Sequence, residues 1–246
     1  MFPINNFLSP TGFTCILFLL FSRSTLAVDD LIQSDPHRAP SGFFDIHICN
    51  WPDRPPFYLT LFGTEQYDDI ASIEIFSPDN SKVGELDLKK FSVAKKQVGP
   101  ERHVFLTQLK IPEDKIDGWY SAKINFKNQP SQTAQDFVIH QTLGRAASLI
   151  PENHAEDIKR PETLSWDAVP GATLYKVFIK DMWAGGEIIH TSKLMTTHSY
   201  ELPQDMIKPG GYYAWRVHAR DLNEHVQLGD FNAGSLSEWV EFSVAE

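Results

Sequence analysis

The sequence predicts an all-β chain: two tandem β-sandwich domains, each of about seven strands, after a cleavable signal peptide. Three observations carry this. Short apolar alternations recur between clusters of turn residues, no stretch repeats with a helical period of 3.6, and one apolar run stands close to the start of the chain. At 246 residues and 42% hydrophobic content there is apolar material for one or two cores.

The apolar run is Phe13 to Phe21, nine residues followed by Ser22-Arg23-Ser24-Thr25-Leu26-Ala27 and the acidic pair Asp29-Asp30. That is the hydrophobic region and small-residue cleavage site of a secretory signal. Nine helical residues reach only about 13 Å, too short for a bilayer, so residues 1–27 are assigned as signal peptide with no membrane span after cleavage. Cys15 opens the run instead of following it, which argues against lipidation. Removing Arg23 with the signal leaves 21 basic against 32 acidic residues, a net charge of −11. Such a charge excludes a nucleic-acid partner. Cys49 then remains as the single cysteine, so no internal disulfide is expected, and its strand-like surroundings predict a small half-buried core residue. The chain has no Asn-x-Ser/Thr sequon, in keeping with a bacterial periplasmic or secreted protein.

Residues 28–41 are rich in Asp, Pro and Ser and predict a flexible leader. The first domain is placed at 42–143, with strands at Phe43–Cys49, Tyr58–Phe62, Ile70–Phe76, Glu85–Leu88, His103–Leu109, Trp119–Phe126 and Phe137–His140. Turn clusters such as Ser77-Pro78-Asp79-Asn80 separate them. Ala71, Ile73 and Ile75 fall on one face of their strand, Ser72 and Glu74 on the other. The segment Asp117-Gly118-Trp119-Tyr120-Ser121-Ala122 resembles the Asp-x-x-Tyr-x-Cys corner of immunoglobulin folds. The resemblance implies that the Tyr120 hydroxyl closes the corner, and that Ala122, in the cysteine's place, makes this an immunoglobulin-like sandwich without a disulfide.

The second domain is placed at 145–246, behind a hinge near Gly144. Arg160 to Ala172, with Trp166, followed by Tyr175 to Ile179, resembles strands B and C of a fibronectin type III domain. Ile207-Lys208-Pro209-Gly210-Gly211-Tyr212-Tyr213-Ala214-Trp215-Arg216-Val217-His218-Ala219 is similar to that family's Leu-x-Pro-Gly-x-x-Tyr-x-x-Arg-Val-x-Ala. The resemblance implies a Trp166 core indole, a Tyr213 corner, strand A at Ser148–Pro151 and a closing G strand over Ser235–Phe242, with Trp215 and Trp239 spent on the core.

Searching for chemistry yields little. Gly-x-Ser-x-Gly, His-Glu-x-x-His, Cys-x-x-Cys and phosphate-loop patterns are absent from the sequence. The nine His are scattered through both halves, and the pairs His190/His198 and His218/His225 do not suit a helix-borne metal site. No cofactor and no metal is expected. The F to G loop, Asp221 to Gly234, carries hard oxygen donors, but no Gly stands at the turn of an EF-hand and no Glu at its closing position. Trp183, beside the glycine turn Gly185-Gly186, is the one indole of the second half that the core motifs leave over. Ligand contact is therefore assigned to Trp183 or to Asp221, Asn223, Glu224, His225 and Asp230 of the loop. The expected function is non-catalytic: an exported protein-binding, adhesion or scaffold module of the bacterial envelope or exterior. The alternative is a carbohydrate-binding accessory protein, so the partner is another protein or a glycan.

Overall fold

The structure, a computed structural model, describes residues 35–94, 100–226 and 229–246. The signal segment 1–27 and residues 28–34 of the leader lie outside the described residues. The chain is all-β and builds two sandwiches, each with its own buried core.

The first sandwich comprises β1 (Arg38–Ala39), β2 (Gly42–Asn50), β3 (Phe57–Thr64), β4 (Ile70–Phe76), β5 (Lys82–Glu85), β6 (Phe91–Ala94), β7 (Arg102–Lys110), β8 (Gly118–Phe126) and β9 (Gln132–Val138). One sheet runs β1-β2-β3-β7-β6 and the other β5-β4-β8-β9, antiparallel throughout. Period-two alternation explains the pairing. Phe44, Ile46, Ile48, Tyr58 and Phe62 of one sheet face Ile73, Ile75, Tyr120, Ala122 and Ile124 of the other, all essentially inaccessible. The Tyr120 hydroxyl donates to the Ile116 carbonyl at 3.2 Å, so the corner closes as the resemblance implies.

Four local expectations change. A register shift between Ile70 and Ser72 turns Ala71 outward and Ile70 inward, so Ala71 does not share the face of Ile73. The strand expected at Glu85–Leu88 lies earlier, at Lys82–Glu85, and the last strand is Gln132–Val138 rather than Phe137–His140. Its polar residues hide the strand signal because Asp136 is buried for an ionic reason described below. Residues 35–41 are not a loose leader. Arg38–Ala39 pairs with β2, and His37 and Ala39 are buried.

The second sandwich comprises β10 (Ala155–Ile158), β11 (Thr163–Ser165), β12 (Leu174–Asp181), β13 (Glu187–Thr191), β14 (Ser199–Glu201), β15 (Tyr212–Arg220), β16 (Ala233–Leu236) and β17 (Val240–Val244). β11 pairs with β14, and Ile150 bridges to Ser165 at that sheet's edge. Opposite lies β13-β12-β15, with β16 and β17 both on β15 and β10 parallel to β17. Trp166, Tyr175, Val177, Ile179, Tyr213, Trp215 and Phe242 fill the core. Lys208 N–H donates to the Tyr213 hydroxyl at 3.0 Å, the second tyrosine corner. The expected single G strand is broken into β16 and β17 at Ser237–Trp239, where the Ser237 hydroxyl takes the Val217 N–H. Trp239 is consequently not a core indole. It lies on the outer face beneath the Arg216 guanidinium and the Lys180 ammonium, 4.3 and 4.2 Å from its ring.

The two sandwiches share a sheet. β16 runs parallel to β2, with Ala233, Gly234 and Ser235 opposite Ile48, Cys49 and Asn50. Gly234 must be glycine here: a Cβ would meet the Phe231 ring at 2.5 Å and His218 Nε2 at 2.9 Å. The connection near Gly144 is pinned. Asn50 donates to the Leu143 carbonyl, Ser235 to the Gly144 carbonyl, and Arg145 to the Trp51 carbonyl and the Asn50 side chain. Among the described residues no helix is long and apolar enough to cross a membrane.

Candidate functional site

The outer face of β2 carries Phe43, Asp45, His47 and Cys49, because alternation sends Phe44, Ile46 and Ile48 into the first core. That face is covered. The segment 35–37 crosses one end and the loop after β15 folds over it, so Asp45 and His47 are buried at the junction. Cys49 is buried there too, opposite Gly234, rather than half-buried in the first core.

His37 is the centre of an ionic cluster. Its Nδ1 lies 2.8 Å from Asp35 Oδ1, and its Nε2 lies 3.1 Å from Asp136 Oδ1 and 3.7 Å from Asp230 Oδ2. His225 Nε2 reaches the second oxygen of Asp35 at 2.9 Å. Asp136 also accepts the Ile46 N–H, and Asp230 accepts Asn223 Nδ2–H and the His225 N–H. Thus the leader, β2, β9 and the second sandwich's loop meet at one point. Burial alone would lower the His37 pKa, but the hydrogen bond and charge of Asp136, with Asp35 and Asp230, outweigh it and raise it to about 9. Burial, then the carboxylates of Asp136 and Asp230, push the Asp45 carboxyl well above the usual range. Burial likewise raises Asp230 and Asp221.

A second group lies beside the first. Phe231 packs its ring 4.0 Å from the His47 ring and 5.7 Å from that of His218, with the Arg220 guanidinium 4.6 Å away. His47 Nδ1 is bonded to Asp45 Oδ2 at 2.7 Å, whereas His47 Nε2, His218 Nε2, Asp45 Oδ1 and Asp221 Oδ1 are buried without a hydrogen-bond partner. Burial, followed by the charge of Arg220, drives the His218 pKa well below its ordinary value, so this imidazole is neutral.

The loop residues singled out from sequence therefore divide. Asp230, His225 and Asn223 join the ionic cluster, Asp221 caps the Ala233 N–H, and Glu224 points to solvent. A solvated ligand loop was the expectation; much of it instead grips the first sandwich. Trp183 stands apart. It is 74% exposed, lies 5.5 Å from the Tyr212 ring, donates its indole N–H to the Gly210 carbonyl, and lines a groove of about 480 Å³ with His154, Tyr212 and Phe242. It adjoins the start of β15 and the loop follows its end, so nine strand residues, roughly 30 Å, separate them.

Sequence reasoning missed Asp35, His37, Asp45, His47 and Asp136. Two of these had a signal: Asp45 and His47 place ionisable groups on one face of an otherwise apolar strand. The expectation of scattered histidines also fails, since His37 and His225 meet edge to face at 5.2 Å.

One further constellation has the order of a catalytic relay. Asp117 Oδ1 holds His140 Nδ1 at 2.7 Å, and His140 Nε2 meets the Tyr58 hydroxyl. The Tyr58 phenol is fully buried against Tyr120, and burial with that hydrogen bond raises its pKa further. A neutral, inaccessible phenol supplies no nucleophile; the relay reinforces the Tyr120 corner.

The sequence matches no protein-family model and no characterised protein. Solved structures overlap it only loosely. The FN1-FN3 domains of chicken CNTN1 give a TM-score of 0.32 at 12% identity, covering 86% of this chain and 69% of that one. Salmonella alpha-2-macroglobulin reacted with methylamine gives 0.25 at 10%, covering 86% of this chain and 15% of that one. Dpr11 IG1 bound to DIP-gamma IG+IG2 gives 0.24 at 15%, covering 84% and 100%. Overlaps at this level carry no functional argument, and the sandwich architecture stands on the strand order and cores described above.

Proposed function

We propose that the chain is an exported, non-catalytic protein-binding module, an adhesion or scaffold piece of the bacterial envelope or exterior. The observation that carries this reading is an exposed aromatic pair on a sheet face. Trp119 and Phe137 are directly opposed in the β8–β9 ladder, their rings 5.3 Å apart and both more than two-fifths exposed. Ile139 continues the patch two residues beyond Phe137. Two exposed rings in contact on one sheet face favour a protein partner, because aromatic anchors dominate interface energetics. Export is supported by the Phe13–Phe21 run and the small residues before Val28.

The test is a photo-crosslinking amino acid placed at position 119, and separately at Lys123 on the same strand, in the native host. A discrete protein adduct from position 119, lost on Phe137→Ser and absent from position 123, supports the reading. Equal labelling at both positions, or none at 119, overturns it. A glycan reading has one observation in its favour, the exposed Trp183 indole over its groove. Quenching of tryptophan fluorescence by an oligosaccharide, abolished by Trp183→Ala, would select it.

A further inference from the structure

The junction cluster has the donor set of a metal centre. His37, Asp136 and Asp230 each bring one ligand atom within 4.8 Å of the other two, and His37 Nε2 lies 3.1 Å from Asp136 Oδ1 and 3.7 Å from Asp230 Oδ2. Bonds of about 2.0–2.2 Å in a tetrahedron put neighbouring donors roughly 3.3–3.6 Å apart, so small adjustments would seat an ion between these three. All three residues are at most 5% exposed.

The remaining atoms of the same side chains are already held as ligands require. Asp35 Oδ1 takes His37 Nδ1, which turns Nε2 toward the carboxylates; the Ile46 N–H holds Asp136 Oδ2, and Asn223 holds Asp230 Oδ1. A carboxylate behind a ligating imidazole is the usual support of a zinc-type histidine. An independent observation concerns Asp45. It is fully buried, its Oδ1 has no hydrogen-bond donor, and Asp136 and Asp230 are its strongest charged neighbours. Three carboxylates thus share the junction with the imidazoles of His37 and His225 and the Arg220 guanidinium. A cation seated among these carboxylates would offset their mutual repulsion, which burial strengthens.

We propose that the junction binds one divalent first-row transition ion of zinc type through three protein donors, His37 Nε2, Asp136 Oδ1 and Asp230 Oδ2. One imidazole among carboxylates suits a borderline ion better than calcium or magnesium, which take oxygen. The ligands come from the leader, β9 and the second sandwich's loop, so the ion is a structural lock between the sandwiches.

The test uses the full mature chain, untagged. Protein stripped with chelator, loaded with Zn²⁺ and desalted is expected to carry about one zinc per chain by elemental analysis and to melt higher than the stripped protein. Loading with Co²⁺ is expected to give visible ligand-field absorption. His37→Gln keeps a side-chain amide for hydrogen bonding but cannot replace the imidazole ligand. Together with Asp230→Asn it should weaken Zn²⁺ affinity at least tenfold. Circular dichroism of the stripped variants shows whether they fold. X-ray absorption of Zn-loaded wild type gives a readout independent of folding in the variants: one imidazole among oxygen ligands near 2.0–2.2 Å is expected. Less than a tenth of a zinc per wild-type chain with an unmoved melt would mean that the protonated His37 alone fills the role, and overturns the proposal. So does full zinc retention by the folded variants, or a first shell with two or more imidazoles.

Discussion

Phe231→Ala isolates what the shared junction contributes to cohesion. The ring is 3% exposed and stands between His47 of the first sandwich and His218 of the second, beneath Arg220. Truncating a buried Phe costs about 3–5 kcal/mol when the cavity stays empty. Here the cavity would be lined by His47 Nε2 and His218 Nε2, both without partners, so entering water regains part of their hydration. That places the cost near the lower end, about 3 kcal/mol. The loss falls on the contact between sandwiches and leaves both cores intact, so local opening should respond. The Ile48 amide, which donates across the junction to the Asn232 carbonyl, reports it. At 1.36 kcal/mol per tenfold, about 3 kcal/mol speeds its hydrogen exchange roughly 150-fold, while the Ile73 and Ile124 amides in the opposite sheet keep their rates. Acceleration below about threefold at Ile48, or equal acceleration at Ile73 and Ile124, would refute the reasoning.

Trp166→Ala should cost about 3–5 kcal/mol and Tyr213→Phe about 1 kcal/mol, the second by orphaning the Lys208 N–H; unchanged urea midpoints would contradict both. In metal-free protein the His37 pKa, raised from 6.5 to about 9, links junction stability to pH. The contribution, on the order of 3 kcal/mol, is full below pH 6.5 and is lost as pH rises through 9; an NMR titration of His37 below pH 7 would sink this. Cys49 should ignore thiol reagents in the native protein and take one equivalent after unfolding, in a mature chain whose mass begins at Val28. Trp183→Ala should leave the melt within about 1 kcal/mol of wild type, because its ring is mostly in solvent.

What the sequence made legible was local or strongly periodic. Tyr120 and Tyr213 stand in segments that resemble known corner motifs, and both hydroxyls close their corners as that resemblance implies. Trp166 is buried in the second core, as the fibronectin type III resemblance implies. The junction was only partly legible, for a physical reason: its residues are scattered along the chain, and apart from Asp45 and His47 in the alternation of β2 the ionic ones lie in no apolar pattern. His37 lies in Asp35-Pro36-His37-Arg38, a composition typical of unstructured leaders, and its burial depends on Asp136, 99 positions away. Gln132–Asp136 reads as polar loop because the carboxylate spent on His37 looks like one facing solvent. Trp239 misled in the opposite sense. An indole in a strand-like segment suggests core, yet here Arg216 and Lys180 hold it on the outer face.

The parallel pairing of β16 with β2 gives the molecule a mechanical character. Two sandwiches joined by a free linker pivot, and a load on one leaves the other unmoved. In this chain bending must shear a hydrogen-bonded ladder and lift Phe231 from its seat, while Arg145 clamps the connection itself. The pair therefore behaves as a stiff lever whose ends keep a fixed separation. A force received near Trp183, at the far end of β15, is delivered to the first sandwich as torque instead of being absorbed at the joint.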